Sequence, residues 1–81
     1  MERDELMKKI KAIVADKLSI SEDQITEEAS FIDDLGADSL ALVNLANAIS
    51  EKYGIELLDG DLVELDNVGQ LISLVESRIN T

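Results

Sequence analysis

Leu6, Ile10, Ile13, Val14 and Leu18 recur at helical spacing with polar residues between them, which predicts a first helix over about residues 3–18. Asp4 and Glu5 lie near its positive end. From residue 19 to 38 the chain changes character. Ser21, Asp23, Thr26, Ser30, Asp33, Asp34 and Gly36 are turn and cap formers. Ile20, Ile25, Phe31, Ile32 and Leu35 punctuate this stretch and are expected to pin it to the core. A connection of this length without strong regular structure is uncommon in a compact domain and often functional.

A second helix is predicted from Asp38, a suitable N-cap, to Gly54, a good residue just past a helix end. Leu42, Leu45, Ala46, Ile49 and Tyr53 repeat as its buried stripe. Leu57 to Leu65 reads as a short third helix or turn, begun by Asp59-Gly60-Asp61. Asp66 or Asn67 can cap a last helix carrying Val68, Leu71, Ile72, Val75 and Ile79. No turn-bounded, alternating β-branched run suggests a sheet. The expected fold is all-α: one domain over residues 1–81, a small antiparallel four-helix bundle with three longer helices and one short third helix.

Composition narrows the chemistry. At 81 residues and 46% hydrophobic, the chain reads as a folded domain with a thin core rather than a disordered acidic tail. It has no cysteine and no histidine, so neither disulfides nor a Ser-His or Cys-His nucleophile can be built from it. No catalytic residue and no metal site are expected within the chain. The net charge of −11, from 18 acids against 7 bases, disfavours nucleic acid and anionic membranes and favours partners with basic patches. Five of the seven bases precede residue 18, and seven acids with no base lie between Glu22 and Asp38. The start, MERDELMKKI, lacks a signal-peptide apolar core. The longest uncharged run, Ser39 to Ser50, is too short to span a bilayer. These features predict a cytoplasmic monomer without membrane insertion.

The segment Asp33-Asp34-Leu35-Gly36-Ala37-Asp38-Ser39-Leu40 places a serine hydroxyl in the first turn of a helix, after a glycine-containing loop. Free N–H groups and the positive dipole end there suit a phosphate on Ser39. On these residues alone the simpler reading is favoured, that Ser39 merely starts the helix and Asp38 caps it, since Asp-Ser at a helix start is common. The run LGADSL resembles the prosthetic-group attachment motif of acyl carrier proteins, phosphopantetheine-dependent carriers whose modified serine matches Ser39. The resemblance extends over nearly the whole chain, through FIDDLGADSL, EKYGIEL and VGQLISLVE. It implies a covalent 4'-phosphopantetheine arm on Ser39, derived from coenzyme A and attached by a phosphopantetheinyl transferase. Acyl groups ride on the arm as thioesters between acyl-transfer and synthase enzymes, in fatty-acid or related biosynthesis. Asp38 then caps the helix and completes the motif.

With the apolar stripe of the second helix inward, Leu40, Val43, Asn44, Asn47 and Glu51 fall on flanking or outward faces, a candidate docking patch beside the arm. Lone exposed leucines are also ordinary in a small bundle. Phe31, Ala46, Ile49, Leu57, Leu62 and Leu65 are the candidate lining of an acyl cavity, in a core any helical bundle would have. The chain departs from the family pattern where housekeeping carriers usually bear acids along this helix: Ala41, Asn44 and Ser50 stand there, leaving Asp38 and Glu51. Leu58 stands where the family often has proline, and Leu62 is larger than the residue often found at its position. A narrower set of partners follows as a hypothesis, and a specialised polyketide or aminoacyl thiolation carrier is the alternative pathway.

Outside the carrier class, an acidic protein-interaction or calcium-binding module remains open on charge alone. Asp59, Asp61, Glu64 and Asp66 lie close together but do not fit an EF-hand: counted from Asp59, its sixth and twelfth positions hold Glu64 and Gln70 instead of glycine and glutamate. Relief of charge repulsion predicts that magnesium or plain salt raises the melting temperature with little selectivity. A saturable, strongly calcium-selective transition in the same titration would instead establish a dedicated site.

Overall fold

In the computed structural model, which describes residues 2–79 apart from the side chain of Asp59, four helices follow in order. They are α1 (Arg3–Leu18), α2 (Ser39–Tyr53), α3 (Asp59–Val63) and α4 (Val68–Ile79), with a single 3-10 turn at Glu22–Gln24. No strand occurs among the described residues. The periodic apolar positions meet at the centre: Leu6, Ile10 and Val14 from α1, Leu42, Leu45, Ala46 and Ile49 from α2, and Val68, Leu71, Ile72 and Val75 from α4. Each large aliphatic side chain in this set contributes about 1.5–3 kcal/mol by leaving water. α1 packs against both α2 and α4, whereas α3 packs chiefly against α2. No helix among the described residues is long and apolar enough to cross a membrane.

The long connection is bound to the bundle by burial and by backbone pairing. Ile25, Ala29, Phe31, Leu35 and Ala37 are buried, and Ile20 packs partly against the core. The N–H groups of Val68 and Gly69 donate to the carbonyls of Ala29 (3.1 Å) and Glu27 (2.8 Å). First-turn N–H groups lack helical partners, so the connection caps α4. Gly69 permits the approach, because a Cβ there would meet the Glu27 carbonyl oxygen at 3.1 Å. From α1, the Arg3 guanidinium donates to Glu27 Oε1 (2.8 Å) and Ser73 Oγ (3.1 Å) across the same seam.

Three expectations need correction. Ile32 does not pin the connection: it is 59% exposed, because its neighbour Phe31 takes the inward direction in a tight turn. The third helix is only Asp59–Val63, with Leu57 buried before it and Leu65 half-buried after it. Tyr53 is half-buried rather than part of the inner stripe. Its hydroxyl is nevertheless enclosed without a hydrogen-bond partner among the described residues, and desolvation pushes its pKa up. At the start of α4 it is Asn67 whose Oδ1 accepts from the Gln70 N–H, at 2.9 Å.

Both α1 and α2 end on a left-handed residue, Ser19 (φ 57°) and Gly54 (φ 63°). Glycine takes this conformation freely and serine does not. Ser19→Gly is expected to stabilise the protein by about 0.5 kcal/mol and Gly54→Ala to destabilise it by about 1 kcal/mol, read from urea unfolding at constant m-value.

The raised Tyr53 pKa sets a pH dependence whose sign is fixed. The folded state favours the neutral phenol, so this contribution is complete below the ordinary tyrosine value and lost as pH rises through the folded one. Tyr53→Phe is expected to make the alkaline fall in melting temperature shallower without loss of stability at neutral pH, since no hydrogen bond is removed.

Candidate functional site

The approach to α2 is a turn that closes on itself. The Ser30 N–H donates to Asp34 Oδ2 (2.8 Å), and the Asp33 N–H donates to Ser30 Oγ (3.2 Å). The Ser30 carbonyl accepts from the N–H groups of Asp34 (3.1 Å) and Leu35 (3.0 Å), and the Phe31 carbonyl accepts from Ala37 (2.8 Å). Gly36 reverses the chain at φ 69°, a region open to glycine at little steric cost. Phe31, Leu35 and Ala37 are buried on one side of this turn. The loop is therefore set by its own backbone and by the core, and it delivers residue 38 in extended conformation to the head of α2.

Asp38 is the N-cap: its Oδ1 accepts from the Ala41 N–H at 2.8 Å, and its carbonyl accepts from Leu42 at 3.0 Å. Ser39 is the first residue of α2 and is exposed, as are Gly36, Asp38 and Leu40 around it. The Asp38 Oδ1 is thus engaged along the helix as its cap. The first-turn N–H groups of Ser39 and Leu40 have no place in the helical ladder. An exposed hydroxyl beside free donors and the positive helix end fits a phosphodiester at Ser39 without displacing any buried side chain.

On the outer face of α2, Leu40 is 68% exposed, Val43 is half-buried, and Asn44, Asn47 and Glu51 are exposed. Ser50, also on this helix, turns toward the next segment: its hydroxyl accepts from the Leu57 N–H (3.1 Å) and donates to the Leu57 carbonyl (3.2 Å).

A cleft of about 400 Å³ opens between the Ser30–Asp33 turn, α2 and α3. Of the six residues proposed to line a cavity, Phe31, Leu62 and Leu65 border it, while Ala46, Ile49 and Leu57 are buried elsewhere in the core. Sequence reasoning missed Leu42, Ile32 and Val63, which also border it, the last two with exposures of 59% and 60%. A signal for Ile32 was present in its adjacency to Phe31, since two neighbours in a turn seldom both face inward. Leu42 lies three residues after Ser39, so the cleft begins about one helical turn along the same face of α2.

Comparisons with known proteins agree with this geometry. Residues 8–75 match the family described as the phosphopantetheine attachment site. Over 77 residues the chain is 43% identical to the acyl carrier protein of Thermotoga maritima, spanning 95% of each chain. Over 80 residues it is 41% identical to the acyl carrier protein of Petrotoga mobilis, spanning 99% of this chain and 94% of the relative. With an attachment-site match over most of its length and relatives aligned nearly end to end, the chain belongs to the acyl carrier protein family.

Proposed function

We propose that this protein is a single carrier domain that holds acyl groups on a 4'-phosphopantetheine arm attached to Ser39. The observation that carries the reading is the exposed Ser39 hydroxyl at the head of α2, in a loop whose geometry is fixed by Asp34, Ser30 and Asp38. When bound, the arm supplies the thiol on which an acyl group is held as a thioester. The chain's own part is to present, orient and shelter. The Ser39 oxygen bonds to the phosphorus next to the pantetheine of coenzyme A as the pyrophosphate P–O bond breaks and the adenosine 3',5'-bisphosphate half leaves. The hydroxyl proton leaves to a base on the phosphopantetheinyl transferase, since the chain has no histidine.

Partner enzymes then treat the loaded protein as a cosubstrate. The arm keeps cargo at high effective concentration near any enzyme that docks within its reach. Leu40 and Val43 offer apolar contact beside the serine, with Asn44, Asn47 and Glu51 as a mostly uncharged polar border. The acids of the connection, Asp33, Asp34 and Asp38, steer basic partner surfaces toward the same end. The cleft lies on the arm's side of α2; Phe31, Leu42, Leu62 and Leu65 offer apolar contact to a cargo there, with Ser30, Asp33 and Asp66 as its polar border. Ala46, Ile49 and Leu57 back the core behind it.

Incubation with coenzyme A and a broad phosphopantetheinyl transferase is expected to add one phosphopantetheine to the wild type and none to Ser39→Ala, read from intact mass. No addition to folded wild type by several transferases would remove the carrier reading. Addition to the Ser39→Ala variant would place the arm elsewhere.

A further inference from the structure

The wall of the cleft formed by α3 is held in an unusual way. α3 has five residues, too few to be stable by its own hydrogen bonds. It packs chiefly against α2, and its outer residue Val63 is exposed. Two side chains from other elements restrain the segment around it. The Ser50 hydroxyl of α2 pairs with both backbone groups of Leu57, just before α3. From the last turn of α4, Arg78 Nη1 donates to the Glu56 carbonyl at 2.6 Å, and Arg78 Nη2 lies 3.7 Å from Asp61 Oδ2. That same Asp61 oxygen accepts from the Leu58 N–H at 3.1 Å, closing the first turn of α3.

We propose that Arg78 is a positioning residue for the cleft: it latches the segment 56–63 against the bundle, with Ser50 and Leu57 as the fixed pivot. The guanidinium is suited to this because its planar fork serves a carbonyl and a carboxylate together. Leu57 and Leu62 are 4% and 1% exposed, so they anchor the segment, while Val63 and Leu58 are 60% and 58% exposed and add little holding force from outside. Release of the Arg78 contacts lets α3 swing about the Ser50–Leu57 pair and carries the Leu62 and Val63 side of the cleft with it. α1, α4 and the connection are held by other contacts and stay in place. The functional consequence, easier entry of an apolar cargo into the cleft, rests on the carrier reading; the latch itself does not.

The test is residue-resolved amide hydrogen exchange on the full-length protein without the arm, so that failure of the carrier reading leaves it intact. Arg78→Ala is expected to speed exchange at Asp61, Leu62 and Val63 by about tenfold, with the Ile10 and Ile72 amides unchanged. Arg78→Lys is expected to recover part of the protection, because an ammonium can serve the Glu56 carbonyl or the Asp61 carboxylate but lacks the fork. Acceleration shared equally by α1, α3 and α4 would overturn the proposal, since it would mean that Arg78 supports only global stability. Unchanged exchange at α3 in Arg78→Ala would overturn it as well. With an octanoyl thioester loaded on the arm, Arg78→Ala is expected to slow its hydrolysis relative to wild type, because entry into the cleft is easier, and equal rates would overturn the role of Arg78 at the cleft.

Discussion

The structure depends on a short backbone seam, the pairing of the Ala29 and Glu27 carbonyls with the first N–H groups of α4. The core of an 81-residue chain is thin, and the connection between α1 and α2 is long. Left unattached, that connection would leave the position of Ser39 to chance. Pairing it with α4 satisfies helix-end donors that need partners in any case, so one set of bonds both starts a helix and fixes a loop. Gly69 is the residue that makes this possible, since a larger side chain would press on the Glu27 carbonyl. Ile25, Ala29 and Phe31 then seat the same stretch in the core, and the Ser30–Asp34 turn follows from a fixed origin.

Charge is distributed so that it does not disturb this arrangement. Among the described residues the buried set contains no polar or charged residue, and the described acids are exposed or half-buried. Arg3 gathers Glu27, Ser73 and, at 3.8 Å, Glu76 around the seam. Arg78 does comparable work for the segment around α3. These two arginines join elements far apart in sequence, whereas Lys17 pairs with its sequence neighbour Asp16 at 3.8 Å. Exposed pairs contribute little energy singly. Their value here is placement: Arg3 spans the Gly69 carbonyl (3.4 Å) and two carboxylates, and Arg78 spans the Glu56 carbonyl and the Asp61 carboxylate.

Much of the bundle was legible in the sequence because its signals are local. The 3.6-residue period identified α1, α2 and α4, and Asp38 and Gly54 marked the ends of α2 by their own conformational chemistry. The connection was legible as a connection, but its inward residues were not fully so. Ala29 and Ala37 are small enough to look neutral, and Ile32 looks like core until the turn at Phe31 assigns the inward direction to its neighbour. The cleft was the least legible feature. Leu42 belongs to the same apolar stripe as Leu45 and Ile49, yet it borders open space while they are enclosed. That difference comes from where α3 lies, and α3 is placed by Ser50 and Arg78, side chains with no periodic signature.

In the proposed carrier reading, the separation of Ser39 from the cleft lets so small a protein both expose a reactive cargo and shelter it. Ser39 stands exposed as the first residue of α2, after a loop held by its own hydrogen bonds, so its hydroxyl can be reached without unfolding anything. One turn farther along α2, Leu42 borders the cleft, whose lining mixes apolar side chains with Ser30, Asp33 and Asp66. A group tethered to Ser39 can therefore point outward toward a partner or fold back along α2 without any change in the attachment point. Lacking histidine and cysteine, the chain contributes no usual base or thiol of its own near the cargo. On that reading the reactive group is left to the enzymes that dock, and the chain's part is geometric: an exposed anchor at the head of α2 with a cleft beside it.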